Sequence, residues 1–206
     1  PPAYFLNQLY SNLLNKGITI AGKSLVKRES LDITNAIDTF YSPELKDIIR
    51  EINVNSNNLF AEILRLHLEN RIPKNADTKS LVYILEKYNL ETDGFYINDG
   101  SGLSRYNSHS TEHQINFLEF IYNENKDFIK LMALGGKEGT VENMFKNSEC
   151  EFRVKSGTLQ RVKSYSGYCL SKNGKDRVFS FIVNNYDGSS YRMKKKMENI
   201  IMELCE

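Results

Sequence analysis

The residues Lys155-Ser156-Gly157-Thr158 place a cation, two hydroxyls and a glycine in four consecutive positions. They stand at the end of a strand-like run, Cys150-Glu151-Phe152-Arg153-Val154, and a second strand pattern, Val162–Leu170, follows at once. On a strand edge this set is a receptor for a carboxylate next to an acyl group. The lysine supplies positive potential and orients hydroxyls, Ser156 and Thr158 bind the carboxylate, and Gly157 lets the backbone approach a substrate closely. The backbone N–H of Thr158 is a candidate half of an oxyanion hole, where a donor aimed at developing charge stabilises a transition state. Upstream, Ser56-Asn57-Asn58 heads an amphipathic helical pattern. The Ser56 hydroxyl can relay a proton between a catalytic lysine and a leaving amine. The Asn58 amide can hold that lysine on one side and a substrate amide on the other. Each motif also has a plain structural use: Ser56-Asn57-Asn58 suits a helix N-cap, and Lys155-Ser156-Gly157-Thr158 suits a turn between strands. Together they supply two of the three elements of a serine acyl-transfer site, and the nucleophile is the element not in view.

The elements that would carry these residues follow from hydrophobic periodicity. Phe5, Leu6, Leu9, Tyr10, Leu13 and Leu14 recur at helical spacing, with Gly17 as a stop signal. Ile18-Thr19-Ile20 is a short strand candidate, and an edge strand is expected near Ile37–Tyr41. Ser42-Pro43 opens a helix carrying Leu45, Ile48, Ile49 and Ile52, with proline at a tolerated early position. A break is expected at Asn53–Asn55, then a helix with Leu59, Phe60, Ile63, Leu64 and His67, and another over 78–89. Asp93–Asn107 is rich in Gly, Asp, Asn and Ser and reads as loop. Ser110 caps a further helix with Ile115, Leu118 and Ile121 inward. The apolar segment Phe128–Leu134 leads to a glycine loop at Gly135–Gly139. Beyond residue 150 the pattern turns to strands, with Asn173-Gly174 as a hairpin signal before Arg177–Val183. An amphipathic helix, Tyr191–Leu204, follows. Helices, an antiparallel meander and a last helix give an α+β fold with helices packed on a sheet. The expectation is one domain over residues 1–206.

Composition narrows the function classes. The chain has 206 residues, 40% hydrophobic and 26% charged, which fits a globular protein. Its net charge of +1 supplies no global field to recruit nucleic acid or a membrane surface. No apolar stretch is long enough to span a bilayer, and Pro1-Pro2-Ala3-Tyr4 has neither the basic nor the apolar part of a signal peptide. A helical pattern that begins almost immediately suggests a cut inside a longer chain. Cys150, Cys169 and Cys205 lack metal-ligand spacing, and their odd number argues against a disulfide framework. They read as small apolar fillers, with a Cys150–Cys169 pair across adjacent strands as the alternative in an oxidising compartment.

With Asp99-Gly100-Ser101-Gly102-Leu103-Ser104-Arg105 between the two motifs, the chain resembles the D-alanyl-D-alanine carboxypeptidase/endopeptidase family, the class C low-molecular-mass penicillin-binding proteins. The likeness extends to Gly17–Gly22, Ser42-Pro43-Glu44-Leu45, Ser56–Glu62 as S-x-N-L-x-A-E, Gly136-Lys137-Glu138-Gly139-Thr140, Ser166-Gly167-Tyr168 and Phe179–Asn185. It covers essentially the whole chain. Asn57 stands where Asp is usual, and Ser156 replaces the commoner Thr while keeping its hydroxyl. The resemblance implies the C-terminal part of the β-lactamase/transpeptidase-like fold. It implies hydrolysis of D-alanyl-D-alanine or cross-link peptide bonds in peptidoglycan through an acyl-serine intermediate. Ser56, Asn58 and Lys155 are the expected catalytic residues, and Ser156, Gly157 and Thr158 the substrate-binding ones. Stem peptides and β-lactam antibiotics are the expected partners, with no cofactor and no metal, in a periplasmic or extracytoplasmic setting.

The family's nucleophile lies in a Ser-x-x-Lys tetrad that opens a helix. Ser24-Leu25-Val26-Lys27 is the sole match and instead follows a strand pattern and Gly22, so the true tetrad is expected in a segment upstream of this chain. The chain alone is then expected to be inactive. The alternative is a non-catalytic cell-wall-binding or interaction module that keeps the cleft. His109, Glu112 and His113 do not form H-E-x-x-H and read as solvated residues at a helix start. Asp99–Gly102 lacks the spaced acids of a calcium loop and reads as cleft architecture. The run Arg192–Lys196 reads as a solvated helix face offset by Glu198 and Glu203.

Overall fold

The computed structural model describes residues 2–22, 26, 39–73, 76 and 81–205. Ser24 and Lys27 of the tetrad, the start of the Ile37–Tyr41 segment and the start of the 78–89 helix lie outside the described residues. The chain divides into two compact units, Pro1–Ser42 and Pro43–Glu206.

In the first unit, helix α1 (Pro2–Asn15) follows the predicted apolar spacing. It ends where the Gly17 and Ile18 N–H groups close onto the Leu14 and Leu13 carbonyls. Ile18–Ile20 forms no strand. Three residues without a ladder partner do not hold a strand on their own.

The second unit is built on a four-stranded antiparallel sheet in sequence order. Its strands are β1 (Ala133–Leu134), β2 (Glu151–Leu159), β3 (Val162–Leu170) and β4 (Arg177–Asn184). The helices are α2 (Leu45–Asn55), α3 (Asn58–Glu69), α4 (Leu81–Lys87), α5 (Thr111–Glu124) and α6 (Ser190–Met202). Period-two alternation sorts side chains onto the two sheet faces. Phe152, Val154, Tyr165, Cys169 and Phe179 join Met197 and Ile201 of α6 on one face. Tyr168 packs with Leu118 of α5, Ile129 and Met132 on the other. The buried Tyr168 hydroxyl donates to the Leu118 carbonyl at 2.7 Å, which pins α5 to β3.

Several expectations are corrected. Helix α2 runs through Asn55, and the break falls at Ser56 and Asn57. Lys155–Thr158 lies on β2 and not in the turn that was its plain alternative, because the turn to β3 is the tight pair Gln160-Arg161, between partners Leu159 and Val162. The segment after Phe128 supplies the short strand β1, whose two residues are too few for a periodic signal. Glu198 faces inward and accepts from the Phe145 N–H at 2.7 Å, so it does not lie on a solvated face. The cysteines differ most. Cys150 and Cys205 form a disulfide, and buried Cys169 stays free. All three sulfurs lie within 4.8 Å of one another although their sequence spacing gave no sign of it. The α6 helix returns the chain to the foot of β2, which brings Cys205 and not Cys169 into bonding position.

Candidate active site

Strand β1 pairs only with Arg153 and Val154, so among the described residues the outer edge of β2 is open from Lys155 onward. An open edge presents unpaired N–H and C=O groups to an extended peptide. Lys155, Ser156, Gly157 and Thr158 occupy that edge.

The Lys155 ammonium donates to the Ser56 hydroxyl at 3.0 Å and to the Ser156 carbonyl at 2.9 Å. Burial pushes its pKa below the ordinary lysine value. Ser56 reaches it from the junction of α2 and α3. There it takes the left-handed conformation, φ 57° and ψ 48°, as the C-cap of α2. This backbone is unfavourable for a residue with a Cβ and is tolerated where the surroundings fix it. The next residue, Asn57, caps α3 by accepting from the Phe60 N–H at 3.1 Å. The serine thus stands between the end of α2 and the capped start of α3. Asn58 is exposed on the first turn of α3, and the bonds of Lys155 go to Ser56 and Ser156 rather than to it.

The junction is docked by the 135–140 loop. Gly139 has φ +49°, and a Cβ there would overlap the Val54 carbonyl, so glycine lets the end of α2 touch this loop. Arg50 of α2 pairs with Glu138 at 2.7 Å, and the other Glu138 oxygen accepts from the Leu134 N–H at 3.0 Å. Burial pushes the Glu138 carboxyl up, but the Leu134 N–H and the Arg50 guanidinium outweigh it and hold its pKa below the usual range. Thr140 follows, and its hydroxyl accepts from the Ser156 hydroxyl at 2.8 Å. One loop therefore sets both Ser56 against Lys155 and Thr140 against Ser156.

The inner side of the motif is equally constrained. Gly157 faces Ser164 of β3, whose hydroxyl occupies the space a Cβ would take. Thr158 is exposed and faces Lys163, whose ammonium donates to its hydroxyl at 3.1 Å. Around Asp99 the loop folds onto its own carboxylate, which accepts from the Gly102 and Ser104 N–H groups and from Asn107. Glu62 of α3 accepts from the Gly100 N–H at 2.6 Å and pairs with Arg65, which ties this loop to α3.

The structure therefore brings together Ser56, Lys155 and Ser156, with Gly157 and Thr158 next along the strand. Sequence reading did not single out Thr140, Ser164 or Lys163. Gly139-Thr140 was the available signal for the first; nothing local marked the other two, which only strand register brings opposite the motif. His113 is the N-terminal capping partner of Ser110, which accounts for its place at a helix start.

A model of the D-Ala-D-Ala carboxypeptidase 3 (S13) family matches residues 1–204. The chain belongs to this family. It is 25% identical over 222 residues to penicillin-sensitive carboxypeptidase A of Dictyostelium discoideum, covering 100% of this chain and 42% of that relative. A crystal structure of penicillin binding protein 4 from Haemophilus influenzae, complexed with a β-lactam, superimposes with a TM-score of 0.84 at 20% identity. That match covers 99% of this chain and 51% of the other. The TLA-1 extended-spectrum β-lactamase superimposes with a TM-score of 0.57 at 15% identity, over 96% of this chain and 77% of that one. The S13 chain thus shares the α+β fold of penicillin binding protein 4 and of the β-lactamase, as the family resemblance implied. It spans about half or less of the length of the carboxypeptidase and penicillin-binding relatives.

Proposed function

We propose that this chain forms the substrate-binding wall of a serine-type peptidase that hydrolyses D-alanyl-D-alanine or cross-link peptide bonds in peptidoglycan. The observation that carries the reading is the Lys155–Ser56 contact beside an open strand edge, in a chain of the S13 family. An extended stem peptide adds to the edge of β2 as a further strand. Thr158, and Ser156 once its hydroxyl turns away from Thr140, donate to its terminal carboxylate, and the Thr158 N–H faces the developing oxyanion. The nucleophile comes from a Ser-x-x-Lys segment outside this chain, in keeping with the greater length of the relatives. Its acylation expels the leaving amine, which takes a proton through Ser56. Lys155 supplies positive potential and holds that hydroxyl, and Asn58 orients the incoming lysine and the substrate amide. Water then releases the acyl group. β-Lactams acylate the same serine. The Cys150–Cys205 bridge fits an oxidising, extracytoplasmic compartment. Among the described residues no helix is long and apolar enough to cross a membrane.

Fluorescent penicillin tests this. The 206-residue chain should take no covalent label, and a longer form carrying an upstream Ser-x-x-Lys should take one that Lys155→Ala abolishes. Labelling of the chain at Ser24 would overturn the placement of the nucleophile. A longer form that binds peptidoglycan without being acylated would make the protein a cell-wall-binding module.

A further inference from the structure

Lys163 and Glu198 are the charged side chains buried deepest among the described residues, at 7% and 6% exposure. Glu198 is matched by Lys195 and the Phe145 N–H. Lys163 has no carboxylate partner among the described residues; its ammonium donates to the Thr158 hydroxyl at 3.1 Å. A buried charge without a counter-ion is unfavourable. An ammonium also has three N–H donors, of which Thr158 takes one.

The placement of this cation follows from the sheet. Lys163 lies opposite Thr158 in the β2–β3 register and opposite Val183 in the β3–β4 register. Its stem is packed inside while its head reaches the exposed hydroxyl on the open edge. Since the Thr158 oxygen accepts from the ammonium, the hydroxyl proton is free to point away from it, toward the cleft. A ligand carboxylate there would receive the Thr158 O–H and the field of the cation behind it. An ester or amide would receive the hydroxyl alone.

We propose that Lys163 is a specificity-determining residue of this cleft, acting through Thr158 to select ligands with a free terminal carboxylate over their esters and amides. The inference rests on the reading of Thr158 as a carboxylate seat. Lys163 is a positioning residue in this scheme; it supplies charge and hydroxyl orientation, and no proton leaves it.

The test is an NMR titration of the 206-residue chain, which needs no nucleophile. The probes are N-acetyl-D-alanyl-D-alanine and its C-terminal amide, followed at the Gly157 and Thr158 amides. The chain should prefer the acid. Lys163→Met should weaken acid binding by about tenfold to a hundredfold, the range for losing a charge-assisted hydrogen bond, and leave amide binding unchanged. Lys163→Arg should keep the preference. Thr158→Val, which leaves Lys163 in place, should lose it too if the selection passes through Thr158; Lys163→Gln, which removes the charge but keeps a polar end, should lose it as Lys163→Met does and serves where the methionine variant is poorly folded. An acid preference that survives in a folded Lys163→Met or Lys163→Gln variant overturns the inference and leaves the peptidase reading intact. Equal weakening of both probes in the Met and Arg variants overturns it in favour of packing. A chain that binds neither probe, or both alike, removes the carboxylate seat and the inference with it.

Discussion

The Lys155 ammonium and the Ser56 hydroxyl meet at 3.0 Å although they stand 99 positions apart in sequence. The contact joins a sheet edge to a helix junction, and the junction residue holds left-handed backbone that glycine would adopt more readily. A serine here runs against the local conformational preference, which supports the role proposed for its hydroxyl. Ser56→Gly should be more stable than Ser56→Ala by about 1 kcal/mol in urea unfolding, since both lose the hydroxyl and only alanine keeps the backbone strain. In a longer, penicillin-reactive form both should lose acylation alike. Equal stabilities would mean that the left-handed backbone carries no strain here.

Gly139 governs the same contact from a distance. A methyl group at this position would strike the Val54 carbonyl and would also have to adopt φ +49°. Gly139→Ala should destabilise the fold by about 2 kcal/mol or more. It should also shift the NMR signals of Ser56 and Lys155, because the end of α2 must move off the loop. Gly102→Ala makes a control, since its positive φ carries strain but its Cβ would meet nothing within 4 Å. A Gly139 variant that costs no more than the Gly102 control would show that the α2 contact is not close-packed.

How far the site was legible depended on whether its parts are local. Ser56-Asn57-Asn58 and Lys155-Ser156-Gly157-Thr158 are contiguous motifs, and periodicity placed the helices and long strands around them. The left-handed turn at Ser56 was hidden because serine and asparagine suit a cap equally well. β1 was hidden by its length, and Lys163 by its sequence, since a lysine in a strand pattern looks solvated until the β2–β3 register sets it against Thr158. The disulfide was hidden for the same reason. Parity counting favours no bridge in a chain with three cysteines, whereas the path of α6 decides which pair meets.

Lys155 makes the stability of the chain depend on alkaline pH. Burial lowers its folded-state pKa, so between that value and the ordinary lysine value near about 10.4 the unfolded chain holds a proton that the folded chain lacks. Stability contributed by this group therefore rises with pH through that window. At lower pH both states are protonated, and the penalty of burying the ammonium is constant. The unfolding free energy of the wild type minus that of Lys155→Met should increase from neutral pH to about pH 10. Taking the difference cancels other groups that titrate in the same range. A flat difference would show that Lys155 keeps its proton equally well in both states, and a falling one that it keeps it better in the folded state.

The Cys150–Cys205 bridge closes a loop across a sequence separation of 55 residues that contains β2, β3, β4 and α6. Cross-linking a loop of this size restricts the unfolded chain, and its loss should cost about 2–4 kcal/mol. Cys205→Ala and Cys150→Ala should each lower the unfolding midpoint by a similar amount, and a double variant should lose little more, because the two share one interaction. Cys169→Ala should leave the bridge intact and affect stability only through packing. Peptide mapping without reduction should recover the Cys150–Cys205 cross-link and a free Cys169, whose thiol burial holds in its protonated form. A Cys150–Cys169 peptide in that map would instead support pairing across adjacent strands and would displace α6 from its role in closing the loop.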